Sequence, residues 1–334
     1  MPAIPTVLAG ATLANGLSAH FRDGYGQGTG TRQHELLAKV MDLGLPSTAR
    51  QTPYAYYETA PYPRLNPRGD KVSFKAFASK AFTITNYNYE LAIGWHEDDR
   101  ADDQVQGLYD RASAGGRNWG TLKERFLVAM ETSTPGDLLP ATPNAPDGAT
   151  LFSATNGAGG DRFGLSGGNI ESGGGVTTGA LIRADFWQAR GRFAQFQDTE
   201  GQPLWDGSFL DAGFVIRYSA ALEEVFREAF LQGRTLAGAV TSTSNAAVTN
   251  TVLESGIPIW LWPTQRLSGN DWYVYAVGSQ HKAVFEQTRQ DLTESIATRD
   301  NSDHARQTGE ESIQWKSRHG VGAYLPYQVV KVDN

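Results

Sequence analysis

Phe82-Thr-Ile-Thr-Asn-Tyr-Asn-Tyr-Glu-Leu-Ala-Ile-Gly-Trp95 runs directly into His96-Glu-Asp-Asp-Arg-Ala-Asp-Asp103. Tyr87, Tyr89, Leu91, Ile93 and Trp95 alternate with Asn88, Glu90 and Ala92. Upstream, Val72, Phe74, Ala76 and Ala78 alternate with Ser73, Lys75 and Ser79. A period of two puts one face of each strand in a core, so 71–95 reads as an extended β-hairpin. The bend is expected near Lys80. The period then changes. Val105, Leu108, Tyr109 and Ala112, then Trp119, Leu122, Phe126 and Met130, recur at helical steps. A long helix over 97–132 follows, with a kink or break expected at Gly115-Gly116.

Working outward, residues 1–50 read as an arm. Gly24 to Gly30 looks like a flexible interruption, followed by a short helix carrying Leu36, Leu37, Val40 and Met41. Residues 51–70 are rich in Pro and Tyr, which favours extended chain or loop. Residues 135–178 are loop-rich and crowded with glycine. A second helix starts after Thr178, with Ile182, Phe186, Ala189, Phe193 and Phe196 on one face. Phe214-Val215-Ile216 reads as a strand, and Ser219 as a cap for the helix after it. Residues 257–262 and 272–277 read as further strands, and Ile313 to Val332 as mostly strand.

Composition narrows the function. The chain has 334 residues, no cysteine and a formal net charge of -7. Disulfides, thiolate metal sites and cysteine nucleophiles are excluded. No run of Lys and Arg offers the counterion release that gripping nucleic acid requires. The start lacks a basic, apolar leader, and no apolar run approaches the roughly 20 residues of a membrane span. A soluble protein made in the cytoplasm is expected.

The candidate chemical motifs all have simpler readings. His96-Glu-Asp-Asp99, with Asp102 and Asp103 nearby, could suggest a hard-cation site. Carboxylates at a helix N-terminus are also stabilised by its exposed amides, by about 0.3–1 kcal/mol each. Gly164-Leu-Ser-Gly-Gly168 matches a nucleophile elbow around Ser166, a motif that needs a strand before it and a helix after it. Glycine-rich loop is expected on both sides. His20, His34, His96, His281, His304 and His319 are scattered without ligand spacing. No catalytic, cofactor or metal residue is assigned, and a structural or assembly role is favoured.

The order of segments resembles the HK97-like phage capsid fold. Local stretches resemble the Mu-like phage major head subunit family. They are Phe82 to Trp95 with the acidic start and Gly107-Leu108-Tyr109, and Asp147-Gly148 with Leu151-Phe152-Ser153. Further on come Gln197 to Leu204 with Phe214-Val215-Ile216 and Ala220 to Glu223, Asn270 to Tyr273 with Phe285-Glu286-Gln287, and Trp315 to Tyr324. Together they run colinearly over 80–334.

The resemblance implies an α+β fold with an N-terminal arm (1–50) and an E-loop hairpin (51–95). It also implies a peripheral domain (96–204 with 311–334) containing a long spine helix, and an α/β axial domain (205–310). It implies a major capsid protein with no enzyme activity or cofactor of its own. Such a protein would assemble in the host cytoplasm into hexamers and pentamers of an icosahedral head around double-stranded DNA, resident in the virion. Expected partners are other copies and scaffolding, portal and decoration proteins, without a membrane. The scaffold is expected to be separate, because Met1 leads straight into the arm. Phe74, Phe77, Phe82 and Tyr87 would supply E-loop contacts between subunits if they are not satisfied within their own chain, and 71–95 would be ordered only in the assembled shell. An encapsulin-type compartment and, more remotely, a Ser166 hydrolase are the alternatives.

Overall fold

The computed structural model describes residues 10–30, 32–57, 79–98, 105–205, 207–232, 234–236 and 247–334. Its first element replaces the flexible interruption expected at Gly24 to Gly30. Helix α1 (Gly10–Thr29) runs unbroken through the glycines at 24, 26 and 28, and α2 (Arg32–Val40) follows. Leu13, Ala14, Leu17 and Phe21 are fully buried along one side of α1. That side packs on α3 (Val105–Gly120), and the two helices run parallel.

Glycine permits the approach. A Cβ on Gly24 would lie 2.1 Å from the Ser113 carbonyl oxygen, and one on Gly116 would lie 2.0 Å from that of Phe21. Each helical glycine costs about 1 kcal/mol against alanine, and backbone-to-backbone packing offsets it here. For the same reason Gly115-Gly116 does not break α3. The interruption falls at Thr121, before α4 (Leu122–Glu131).

A four-stranded sheet runs in the order β1 (Met41–Pro46), β11 (Val284–Ala297), β12 (Glu310–Ala323), β4 (Tyr87–His96). Strand β4 pairs antiparallel with β12 from Tyr87↔His319 to His96↔Glu310. Trp95, Ile313 and Trp315 form its buried face against α1 and α3, with Trp315 stacked on Phe21 at 4.1 Å. The expected bend at Lys80 is therefore displaced. Strand β3 (Ser79–Thr85) passes through Lys80 and pairs with β2 (Gln51–Tyr57). The turn to β4 is at Asn86, whose amide donates to Ser47 Oγ (2.9 Å) and the Ala49 carbonyl (2.7 Å). The hairpin thus joins 51–57 to 79–85. Residues 71–78 lie outside the described residues, and 79–96 is already paired within one chain.

A mixed five-stranded sheet runs β5 (Ile170–Ser172), β13 (Val329–Asp333), β10 (Trp272–Ala276), β6 (Phe214–Ser219), β9 (Ile259–Thr264). Two helices cover one face, α5 (Gly179–Gln195) and α6 (Glu223–Leu231). Ile182, Phe186, Ala189 and Phe193 meet Phe214, Ile216, Phe226 and Trp272 there. Thr178 caps α5, accepting from the Leu181 amide at 3.4 Å. Ser219 makes no such bond, because a 3-10 turn at Ala220–Leu222 comes before α6. Helix α4 covers the other face, where Leu127, Met130, Val215 and Tyr275 join Val284, Val321 and Val329. After α6, β7 (Arg234–Leu236) and β8 (Ala247–Thr249) pair as an antiparallel two-stranded ribbon.

Sheet membership crosses the boundaries expected at 204/205 and 310/311. Strand β11 pairs with β12 in the four-stranded sheet, while α5 and β13 belong with the five-stranded one. The glycine-rich stretch is ordered around Arg162, which is 1% exposed. Its guanidinium grips both Asp147 oxygens (2.6 and 3.0 Å), the Leu151 carbonyl and Asn169.

Candidate assembly surface

The hairpin root is built from aromatic rings. Phe82 stacks on Tyr54 (5.7 Å between centroids) and Tyr324 (6.1 Å), and meets Phe285 edge-on at 6.1 Å. The Tyr54 hydroxyl donates to Gln287 at 2.8 Å. Tyr87 packs half-buried against the core between the sheets. Of the four expected intersubunit contacts, Phe82 and Tyr87 are therefore engaged within their own chain. Phe74 and Phe77 lie outside the described residues.

Two charge clusters, neither legible as a motif, hold the sheets and α4 together. Glu286 on β11 is fully buried. It accepts from Thr288 (2.7 Å) and the Gly44 amide (2.8 Å), and it pairs with His319 (2.6 Å) and Lys123 (2.9 Å). Gly44, at φ +71, forms the bulge in β1 that turns its amide inward. Burial alone would raise the Glu286 carboxyl, but the His319 hydrogen bond and the Lys123 ammonium outweigh it and hold it near 2.

A carboxylate held below its ordinary 4.5 stabilises the fold above that pH. The contribution, about 3 kcal/mol, disappears as pH falls from 4.5 through 2. Denaturant titrations at stepped pH should show that loss in the native chain and not in Glu286→Gln. Equal slopes for the two proteins would contradict it.

The second cluster lies between α4 and the five-stranded sheet. Arg217 on β6 and Glu131 at the end of α4, both fully buried, approach to 2.9 Å. The Tyr275 hydroxyl donates to Glu131 at 2.8 Å, and the Arg217 guanidinium lies 3.9 Å over the Trp262 ring. Glu124, two turns earlier on the same face of α4, accepts from Thr264 at 2.8 Å and lies 3.9 Å from Arg217.

The other motifs remain apart. Ser166 is exposed in a turn between Gly164 and Gly167, without the strand and helix an elbow needs. His96 lies 3.3 Å from Asp98, and Glu97 pairs with Arg299. Among the described residues no group of three or more His, Cys, Asp or Glu could hold a metal, and no helix is long and apolar enough to cross a membrane. Asp99, Asp102 and Asp103 lie outside those residues. Leu231 and Leu253 are 56% and 45% exposed at the ribbon end. Asn250 ties their segments by donating to the Ala229 and Gln232 carbonyls.

Residues 11–132 match the family model described as Mu-like prophage major head subunit gpT. That region contains the Phe82 to Tyr109 resemblance and α1, and it ends before the other four similar stretches. No curated protein matches the sequence. Among solved structures, a chain from the capsid of Myoviridae phage XM1 aligns with a TM-score of 0.54 at 8% identity, over 89% of this chain and 90% of its own. One from Microbacterium phage Oxtober96 gives 0.53 at 11% over 89% and 90%. One from the capsid of Cyanophage P-SCSP1u gives 0.52 at 11% over 87% and 85%. At such identities the likeness is one of fold, and it is the HK97-like capsid fold. Residues 11–132 are thus similar to the Mu-like prophage major head subunits, and the chain as a whole has a fold similar to that of phage capsid chains.

Proposed function

We propose that the chain is the major capsid protein of a tailed bacteriophage. It self-assembles into hexamers and pentamers that close an icosahedral head around double-stranded DNA, and it has no enzyme activity of its own. The supporting observation is the joint one: a major-head-subunit match at the N-terminal third and a capsid fold over about nine tenths of the chain. The family match favours a phage head over an encapsulin-type compartment.

In this reading 51–57 and 79–85 form the stem of the E-loop, and Phe74 and Phe77 are intersubunit contacts. Helices α3 and α4 are the spine. The unit around the five-stranded sheet is axial, and the unit around the four-stranded sheet is peripheral. A chain with net charge -7 encloses DNA without holding it tightly. Closed shells arise from repeated rotational contacts, and many modest interfaces add through multivalency. Assembly in the host cytoplasm, with scaffolding, portal and decoration proteins, belongs to the same reading.

Sedimentation of the expressed chain tests it. Megadalton species are expected, whether closed shells or aberrant tubes and spirals. A species of 36.3 kDa at every concentration would contradict it.

A further inference from the structure

Arg125, on the first half of α4, is half-buried. Among the described residues its guanidinium has no hydrogen bond and no ion pair. Burial weakens its hold on the proton, Arg266 weakens it further, and only Asp137 acts against them. Arg266 has its own partners, Thr121 Oγ1 at 2.9 Å and Glu124 at 3.6 Å. A half-buried cation facing a second cation is costly in a lone subunit, because neither water nor a carboxylate compensates it fully.

The surroundings are shaped to receive something. Arg125, Asp137 and Leu138 stand between two cavities that form one groove. The first, about 350 Å³, is lined mainly by the apolar Tyr89, Leu91, Trp119 and Leu122, with Glu90 and Asn118 at its polar side. The second, about 420 Å³, is lined by Thr134, Pro135, Gln265 and Arg266. An apolar slot beside a half-buried Arg125 that has no carboxylate bonded to it among the described residues fits an acidic side chain next to an apolar one. Copies of this chain carry a surplus of carboxylates, 36 acidic residues against 29 Lys and Arg. Charge complementarity therefore favours another copy as the occupant.

We propose that this groove is an intersubunit docking site. A second copy places a carboxylate between Arg125 and Arg266 and an apolar side chain over Trp119. The proposal rests on the shell-subunit reading. It goes beyond it by naming the receiving residues and the chemistry of what they receive.

Full-length Arg125→Glu and Arg125→Lys, compared with the native chain, test it. Particle yield by sedimentation and denaturant stability of the unassembled subunit are both measured. Arg125→Glu should lower particle yield roughly ten-fold or more, while Arg125→Lys stays within about three-fold of native. The unassembled Arg125→Glu subunit should be as stable as native or more so, since the repulsion with Arg266 is gone. A structural role for Arg125 would not separate yield from stability in this way. Native yield from Arg125→Glu overturns the proposal. So does a fall in yield matched by a fall in subunit stability, because Arg125 would then serve its own fold. If the native chain forms no particles, the shell reading fails and the proposal falls with it.

Discussion

Replacing Gly116 with valine should destabilise the chain by about 3 kcal/mol or more, at the upper end of what overpacking costs. A Cβ at this position would sit 2.0 Å from the Phe21 carbonyl oxygen and 2.8 Å from the Tyr25 amide nitrogen. Both are backbone atoms of α1, so no side chain can rotate away. Either α1 moves off α3 or one helix distorts. Moving α1 uncovers Leu13, Leu17 and Phe21 and breaks the Phe21–Trp315 stack. Each large apolar side chain so exposed forfeits about 1.5–3 kcal/mol of burial. Hydrogen exchange should show residues 10–29 losing protection before the five-stranded sheet does. Unchanged stability and protection would mean that the helices do not meet at these glycines.

Removing Glu131 should cost about 3–5 kcal/mol at pH 8, where its carboxyl is ionised, because Arg217 is left buried without its nearest carboxylate. Glu131→Ala is the variant. Glu124, at 3.9 Å, is too far to replace a contact of 2.9 Å. Replacing the pair together, as Glu131→Met with Arg217→Leu, should recover most of the loss, since well-packed apolar residues often match a buried ion pair.

The pH dependence has the opposite sign to that of Glu286. Burial raises the Glu131 carboxyl from 4.5 to about 7, although Arg217 and Tyr275 act against it. A raised carboxyl favours the fold most below pH 4.5 and loses that contribution as pH climbs to 7. Stability of the native chain should therefore decline by up to about 3 kcal/mol over that interval, and Glu131→Gln should lack the decline. A Glu131→Ala cost under about 1 kcal/mol, or identical pH slopes, would place the carboxyl in contact with water.

Much of the architecture was legible because local pattern and burial agree. The Phe spacing of 182–196 marked α5 and Thr178 its start, since a helix packed on a sheet needs one apolar stripe and one cap. Phe214-Val215-Ile216 and the 272–277 run marked central strands, buried on both faces. The glycines of α1 misled because their helix is stabilised by the matching glycines of α3, far along the chain. The alternation of 87–95 established a strand but not its partner, since period two is silent about pairing. That partner, β12, is more than 200 residues away.

The assembly residues fared similarly. Phe82 was expected to contact a neighbouring subunit if unsatisfied in its own chain, and the fold brings Tyr54, Phe285 and Tyr324 around it. Arg125, Arg217 and Glu131 carry no local signature at all. Their roles come from charges that segments distant in sequence bring together.

Electron microscopy of particles assembled from this chain is the most direct measurement. The expected reconstruction shows rings of six and five subunits. Each subunit fits the two-sheet fold, and a neighbour covers the surface beside α3 and α4. A homogeneous solution of single, fully folded molecules under all assembly conditions would contradict it.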